Sequence, residues 1–169
     1  MKKSASTTPH RVLAVASGGG HWVQLRRMRP AWEGCAVTYV TTLEGYRAEI
    51  EAEAAESTGP ASRFEVVPDA NRWQKVRLVR QLLALLWIVL RTRPHAIVTT
   101  GAAPGYFAIR LGRLLGARTV WIDSIANAEE LSLSGRKVGR HAHLFLTQWE
   151  HLAENGSGQA APQFHGTVL

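Results

Sequence analysis

The chain has 169 residues, of which 46% are hydrophobic and 20% are charged. This composition excludes a disordered or fibrous protein and fits one domain with a buried core. Lys and Arg total 20 and Asp and Glu total 13, so the net charge is +7, which favours anionic ligands such as nucleic acid, phospholipid headgroups or phosphorylated metabolites. With Cys35 as the single cysteine, an intrachain disulfide is excluded.

The two ends of the chain differ from the middle in composition. Residues 1–10 are mostly polar and lack the apolar stretch of a signal peptide, so they predict a flexible N-terminus. Residues 11–153 predict a single domain, and the Gly- and Ala-containing residues 154–169 predict a flexible tail. The apolar tip of that tail, residues 164–169, is interpreted either as a partner-binding segment or as a disordered end.

Short apolar or β-branched runs alternate with helical patterns along the chain. Strands are predicted over residues 11–17, 35–41, 64–67, 95–100, 118–122 and 144–147. Helices are predicted around residues 25–32 and over 44–56, 73–90, 104–115 and 135–141. This alternation predicts an α/β fold, a Rossmann-like parallel sheet with helices on both faces.

A glycine-rich loop, Gly18, Gly19 and Gly20 followed by His21, comes directly after the first predicted strand. Glycines let backbone N–H groups approach a ligand, and the following helix presents its positive end, so the loop predicts phosphate binding. A tight turn that needs glycine only for its dihedral angles is the alternative. The loop is not a dinucleotide fingerprint, because Val23 stands where the third glycine would be.

Two further loops are expected at the same edge of the sheet, where ligands bind in parallel α/β folds. Thr100 ends the fourth strand and Gly101 follows it, which repeats the strand–glycine–helix design and predicts a second phosphate-binding loop. An ordinary connection between a strand and a helix is the alternative. Asp123 and Ser124 follow the fifth strand. Asp123 is interpreted either as a base that acts on a hydroxyl or as a helix cap, a position that Asp and Ser both favour. Ser124 is predicted to contact the same phosphate.

His21 is the strongest candidate for a catalytic residue, because it is the titratable side chain of the glycine loop. It is predicted to act as a general base or to hold a phosphate oxygen; a histidine that only caps the next helix is the alternative. The other histidines lack metal-ligand spacing with cysteine or carboxylates, so neither a metal site nor a cofactor is predicted.

The helix predicted over 73–90 combines basic and aromatic residues with an apolar stripe, which consists of Leu78, Leu82, Leu85, Leu86 and Val89. Trp73, Arg77, Arg80 and Trp87 are predicted to contact an anionic membrane surface. A core helix with a solvated, charged end is the alternative. The longest apolar run, residues 82–90, is too short to cross a membrane, so contact without spanning is expected. Nucleic acid is not expected as a partner, because no nucleic-acid motif accompanies the charge.

Five motifs occur in an order and spacing that resemble a known family. They are Ser17–Trp22 with Gln24–Leu25, Thr99–Gly101, Asp123–Ala126, Leu131–Gly135 and Gln148–Trp149. Together they resemble oligosaccharide biosynthesis proteins of the Alg14 type and their bacterial relatives of the PssD type. The resemblance covers about residues 11–152.

The resemblance implies a fold equivalent to the N-terminal half of a GT-B glycosyltransferase, the half that binds the acceptor. A separate small subunit would bind the donor, so the active enzyme would be a heterodimer with a UDP-sugar at the interface. The acceptor would be a lipid-pyrophosphate-linked sugar at the cytoplasmic face of the plasma membrane, where the chain would be peripheral.

Inverting transfer in exopolysaccharide or lipid-linked oligosaccharide biosynthesis is the reaction expected from this resemblance. The loop from Gly18 to His21 would lie at the acceptor pyrophosphate. The family usually has Glu at the position of Asp123. The sugar transferred and the acceptor lipid stay open. A non-catalytic scaffold that recruits the catalytic subunit to the membrane is the alternative function.

Overall fold

The computed structural model describes residues 8–71, 73–154 and 161–168. The strands are β1 (Arg11–Val15), β2 (Ala36–Thr41), β3 (Arg63–Val66), β4 (Ala96–Thr99), β5 (Arg118–Ile122), β6 (Leu144–Thr147) and β7 (Gln163–Phe164). The α-helices are α1 (Gly20–Arg27), α2 (Arg47–Glu56), α3 (Lys75–Thr92), α4 (Ala102–Leu114), α5 (Leu133–Val138) and α6 (Glu150–Glu154). Short 3₁₀ turns cover Arg29–Trp32, Glu44–Tyr46 and Gly139–His141.

The strands of the described ranges form one parallel sheet in the order β3-β2-β1-β4-β5-β6-β7. Val12 of β1 pairs with Val37 of β2 on one side and with Ala96 of β4 on the other. The chain winds outward from β1 to β3, returns to β4, and then winds in the opposite direction. The carboxyl ends of β1 and β4 therefore flank the switch point, where open parallel sheets bind their ligands.

Helices cover both faces of the sheet, as the sequence predicted. Successive residues of a strand point to opposite faces. Val12 and Ala14 accordingly belong to one core, to which α1 and α2 contribute, while Leu13 and Val15 belong to a second core with α3 and α4. The Rossmann-like fold class is confirmed.

Glycine positions α4 unusually close to the sheet. A Cβ atom at Gly112 would lie 2.5 Å from Ile97 Cδ1 and 3.1 Å from Thr119 Cγ2, and both of these side chains are fully buried. Only a residue without a side chain fits there. This close approach fixes the axis of α4 over β4 and β5, and with it the loop that joins β4 to α4.

The C-terminal segment departs from the prediction of a flexible tail over 154–169. Within it the structure describes Glu154, where α6 ends, and residues 161–168, which include β7. Gln163 and Phe164 of β7 pair in parallel with Leu146 and Thr147 of β6. The start of the apolar tip therefore pairs with its own chain. The sequence did not predict this strand, because two residues carry too little local pattern to reveal a strand that tertiary contacts stabilise. Residues 155–160 and 169 lie outside the described residues.

The N-terminal boundary also shifts. Residues 1–7 of the predicted flexible segment 1–10 lie outside the described residues. The carbonyl of His10 accepts a hydrogen bond from Ala36 N at 2.8 Å, and its ring packs edge-on against His95 with 5.4 Å between the centroids. His10 therefore belongs to the folded domain. Across the described ranges, none of the helices has the length and apolar character needed to cross a membrane.

Candidate functional site

A cleft of about 350 Å³ opens at the switch point, at the carboxyl edge of the sheet. His21 and Ala102 form one wall, at the starts of α1 and α4. The second wall is the loop from Ser124 to Ser134, which follows β5, together with Arg136 of α5. The structure thus brings together the three loops that the sequence placed at one sheet edge.

Two reciprocal hydrogen bonds join the loops of the first wall. His21 Nδ1 lies 2.7 Å from the carbonyl oxygen of Thr100, and Thr100 Oγ1 donates to the carbonyl of His21 at 2.7 Å. A carbonyl can only accept, so Nδ1 carries the hydrogen of the neutral ring. Nε2, which has no partner among the described residues, is left as the nitrogen that can accept a proton or bind a ligand.

The glycine loop uses part of its backbone for itself. Gly18 N donates to Thr42 Oγ1 at 3.2 Å, and Gly19 N donates to the hydroxyl of Tyr46 at 3.0 Å. These two amides were predicted to bind phosphate, and the internal bonds leave neither one available. Gly20 N and His21 N have no hydrogen-bond partner among the described residues, as expected of the first amides of a helix. Of the three predicted glycines, only Gly20 therefore keeps an amide that is available to an anion, together with the amide of His21.

The loop after β4 has the role of holding the first wall in place. Thr100 was predicted to bind phosphate. It is fully buried and its hydroxyl is bonded to the carbonyl of His21, so it positions the histidine and does not face a ligand. Gly101 has φ of 124°, which disfavours any side chain, and a Cβ atom there would lie 3.0 Å from His21 Cε1. Gly101 therefore gives His21 room to lie against the backbone.

Asp123 is closed off from the cleft, which favours the capping alternative over the role of a base. Asp123 is only 2% exposed. The carboxylate accepts hydrogen bonds from Ser132 N at 2.8 Å, Ser132 Oγ at 2.6 Å and Trp121 Nε1 at 3.3 Å. Both oxygens thus bind the chain itself. Asp123 ties the far end of the second wall to the end of β5, a role that is closer to the capping alternative.

Ser124 lines the cleft but is only 8% exposed. Its Oγ accepts a hydrogen bond from Ala126 N at 3.3 Å, which begins the turn of the second wall. The hydroxyl hydrogen remains available to a ligand, since Oγ acts here as an acceptor.

Sequence reasoning assigned no role to several polar residues of the second wall. They are Asn127, Glu130, Ser132, Ser134 and Arg136. Arg136 Nη1 lies 2.7 Å from Glu130 Oε2, so the wall carries a charged pair beside the opening. The motif from Leu131 to Gly135 was a usable signal, because Ser132 caps α5 by accepting from Gly135 N at 2.9 Å.

The helix α3 is apolar on two faces. Leu85, Ile88 and Val89 are buried in the core. The solvent-facing residues, here called the outer stripe, are Val76, Val79, Leu83, Trp87 and Leu90, all more than half exposed. Their spacing of three or four residues makes one continuous stripe along the helix.

The predicted membrane-contact residues all lie at the surface of this region. Trp73 is 78% exposed and Trp87 56% exposed, and Arg77 and Arg80 are exposed. Arg91 stacks on Trp87 with its guanidinium carbon 4.2 Å from the ring centroid. Sequence reasoning named the stripe with Leu85 and Val89, which is the core face. The outer stripe was missed because residues of both stripes alternate along one apolar run.

A second cavity of about 340 Å³ lies beside the turn Arg29–Trp32 and the end of α2, away from the switch point. Several of its polar groups are paired: Trp32 Nε1 donates to the hydroxyl of Tyr39 at 3.1 Å, and Glu53 binds Arg29 at 2.8 Å as well as Arg26. Burial alone would raise the pKa of Glu53, but the bond from Arg26 and the nearby arginine charges outweigh it and lower the pKa. This cavity is therefore a less suitable ligand site than the cleft.

The sheet order and the cleft at its switch point define a Rossmann-like domain that matches the N-terminal halves of GT-B glycosyltransferases. The chain superposes on MurG from Acinetobacter baumannii with a TM-score of 0.67 at 14% identity, covering 95% of this chain and 46% of that one. A glycosyltransferase from Rickettsia africae gives a TM-score of 0.65 at 11% identity, with 95% and 43% covered. The chain thus spans about half the length of these solved structures.

Residues 17–167 match the family described as "Oligosaccharide biosynthesis protein Alg14 like", and the chain belongs to this family. The resemblance inferred from the motifs is confirmed. A relative from Eremothecium gossypii, named UDP-N-acetylglucosamine transferase subunit ALG14, is 27% identical over 176 residues, which cover 86% of this chain and 75% of the relative.

Proposed function

We propose that the chain is the acceptor-binding subunit of a two-component glycosyltransferase that moves a sugar from a UDP-sugar to a lipid-pyrophosphate-linked sugar. The observation that carries this proposal is the first wall of the cleft, where Thr100 orients His21 and leaves its Nε2 without a partner among the described residues. The name of the Eremothecium relative favours UDP-N-acetylglucosamine as donor and a catalytic complex as the active form.

The acceptor pyrophosphate fits the first wall chemically. The amides of Gly20 and His21 lie at the positive end of α1, and α4 begins at Ala102 on the other side of His21. Helix N-termini bind phosphate through such amides and through the helix dipole. The basic net charge adds long-range attraction for a doubly charged headgroup.

His21 Nε2 is the group we assign to the acceptor hydroxyl. In an inverting transfer the hydroxyl oxygen bonds to the anomeric carbon, the bond to UDP breaks on the opposite face, and the hydroxyl proton goes to a base. A neutral histidine whose Nδ1–H is held by a carbonyl is suited to take that proton at Nε2. The buried carboxylate of Asp123 is left with the task of shaping the second wall.

The donor site is proposed to lie on a second chain. In MurG the matched region is less than half of the protein, and the relative from Eremothecium is named as a subunit. A small donor-binding subunit facing the cleft would complete the active site as a heterodimer. The first wall would then hold the acceptor while the partner presents the UDP-sugar.

The outer stripe of α3 is proposed to rest on the cytoplasmic face of the plasma membrane. Because α3 follows β3, its first turn lies at the edge of the sheet that carries the cleft. Exposed apolar side chains next to Arg77 and Arg80 suit the boundary of an anionic bilayer, where each basic residue contributes about 1 kcal/mol. A lipid-linked acceptor would thus reach the cleft from the membrane.

Replacement of His21 tests the catalytic assignment. In a complex reconstituted with its donor-binding partner, we expect His21→Ala to lower kcat by about 100-fold or more, the usual effect of losing a general base. Val23→Ala on the exposed side of the same helix is the control. Full turnover by His21→Ala at limiting acceptor would contradict the assignment and would support the alternative function, a scaffold that only recruits the catalytic subunit.

Vesicle binding tests the membrane assignment. We expect Leu83→Glu with Trp87→Glu to abolish co-sedimentation with vesicles that contain an anionic phospholipid, while the free energy of unfolding stays unchanged because both side chains are more than half exposed. Val23→Glu, an exposed apolar residue on the opposite face of the sheet, should leave binding intact. Equal binding by the wild type and the double variant would exclude the outer stripe as the contact.

A further inference from the structure

A buried glutamine joins the C-terminal segment to the cleft. Gln148 follows β6 directly and is only 3% exposed. Its Nε2 donates to the carbonyl of Asp123 at 3.0 Å, and its Oε1 accepts from Val168 N at 2.9 Å. Its own carbonyl accepts from Thr167 Oγ1 at 3.1 Å. The side-chain amide is thus bonded at one end to Asp123, which precedes the second wall, and at the other to Val168, the last described residue.

The orientation of this amide is fixed by its two partners. A carbonyl can only accept and a backbone N–H can only donate, so Nε2 must face Asp123 and Oε1 must face Val168. If either partner moves away, a buried polar atom is left without a bond, which is costly. The positions of Asp123 and Val168 are therefore coupled through Gln148.

Asp123 is the residue from which the second wall is held. Its backbone begins the loop, and its carboxylate binds Ser132 near the loop's far end. Residues after β6 hold the middle of the loop as well: Trp149 Nε1 donates to the carbonyl of Ile125 at 2.9 Å, and His151 Nε2 lies 2.8 Å from the carbonyl of Ala128. A shift of Gln148 would therefore reach the whole wall.

We propose that residues 163–168, acting through Gln148, are a positioning element that sets the affinity of the cleft for its acceptor. This inference rests on the proposed function, because it takes the cleft to be the acceptor site. Gln148, Thr167 and Val168 touch no reacting atom in this scheme. Displacing the segment should loosen the second wall and raise the KM for the acceptor more than it lowers kcat.

The structure offers a matched pair of variants for the test. Thr167→Val removes the hydroxyl donor at constant shape, whereas Thr167→Ser keeps a donor to the carbonyl of Gln148. Gln148→Met removes both side-chain bonds at nearly constant volume. All are made in the full chain. Two readouts are taken: hydrogen exchange of the amides of residues 124–134 in the chain alone, and the acceptor KM and kcat of the reconstituted complex.

We expect faster exchange over residues 124–134 in Thr167→Val and Gln148→Met, with wild-type exchange in Thr167→Ser. The acceptor KM should rise about three- to tenfold in Thr167→Val and more in Gln148→Met, from the usual strength of such bonds, with kcat changed less than twofold. Rescue by Thr167→Ser separates positioning from general loss of stability.

Two other outcomes are decisive. Unchanged exchange over residues 124–134 in both Thr167→Val and Gln148→Met would overturn the coupling, whatever the enzyme does. Faster exchange with an unchanged acceptor KM would support the coupling and would instead refute the cleft as acceptor site, and with it the proposed function. Because exchange is measured without a partner or substrate, the two failures are distinguishable.

Discussion

The two walls of the cleft use their polar groups in opposite ways. In the first wall, Thr100 orients His21 through two hydrogen bonds. His21 Nε2 and the first amides of α1 remain available to bind a ligand. Behind the second wall, the carboxylate of Asp123 and the side chains of Gln148 and Trp149 bind the protein itself and hold the wall in place. The first wall is thus organised to act on a substrate and the second to hold its own shape, and a charged residue beside a cleft need not be catalytic.

The largest expected effect is on the stability that the second wall supplies. Asp123→Ala would leave Ser132 N and Trp121 Nε1 buried without an acceptor, so we expect a loss of about 3 kcal/mol in the free energy of unfolding. Urea denaturation followed by circular dichroism measures it. Glu130→Ala removes an exposed carboxylate of the same wall and should change stability by less than about 1 kcal/mol. Equal effects of the two variants would mean that Asp123 does not hold the second wall in shape.

A glycine comparison tests the packing of the first wall. Gly101→Ala would place a methyl group 3.0 Å from His21 Cε1 at a φ of 124°, so we expect a loss of about 1–3 kcal/mol together with lower activity. Gly20→Ala meets nothing within 4 Å and should be within about 0.5 kcal/mol of the wild type. Thermal or urea unfolding of both variants decides the matter, and a neutral Gly101→Ala would mean that His21 is not held against this backbone.

The smallest expected effect is a pH dependence of stability, which arises from histidines at the edge of the sheet opposite to the cleft. The pKa of His141 is lowered, most strongly by burial and then by the charges of Arg110, Arg140 and Arg113. The pKa of His143 is also lowered, again most strongly by burial and then by the charges of Arg113 and Arg118. The unfolded chain therefore binds more protons than the folded chain as pH falls below 6.5, the ordinary value, and stability should fall from there through the lowered pKa values.

Melting temperatures between pH 7.5 and pH 5, about one unit to either side of the ordinary histidine pKa, measure this dependence. Replacing both His141 and His143 by Asn should weaken it, and replacing His95 as well should flatten it, because burial, Arg11 and His10 also lower the pKa of His95. A pH dependence that survives in the triple variant would assign the titration to other groups.

The sequence predicted the architecture well, because the core strands β1 to β6 are apolar runs that stand out from the helices between them. It missed β7, whose two residues have no pattern of their own and depend on β6 for their pairing. For Asp123 it left a base and a helix cap both open, since a carboxylate after a strand looks the same in sequence whether it faces a cleft or, as here, Ser132 and Trp121.

The sequence predicted where the cleft lies, but it did not predict which of the backbone amides there are available to a ligand. Parallel strands bring their carboxyl ends to one edge, so the three loops could be grouped from the sequence alone. Which amides are available could not be predicted, because the partners of Gly18 and Gly19 are Thr42 and Tyr46, more than twenty residues away. The same holds for α3, where only the packing decides which of two apolar stripes is buried.

The strand order has a consequence for how this chain is made. β1 lies in the interior of the sheet, and one of its two neighbours, β4, begins only after more than half of the chain has been synthesised. Until Ala96 reaches Val12, one edge of β1 stays unpaired and its apolar residues are uncovered on that side. Such long-range closure slows folding and exposes nascent chains to aggregation, so production in cells should benefit from low temperature and chaperones.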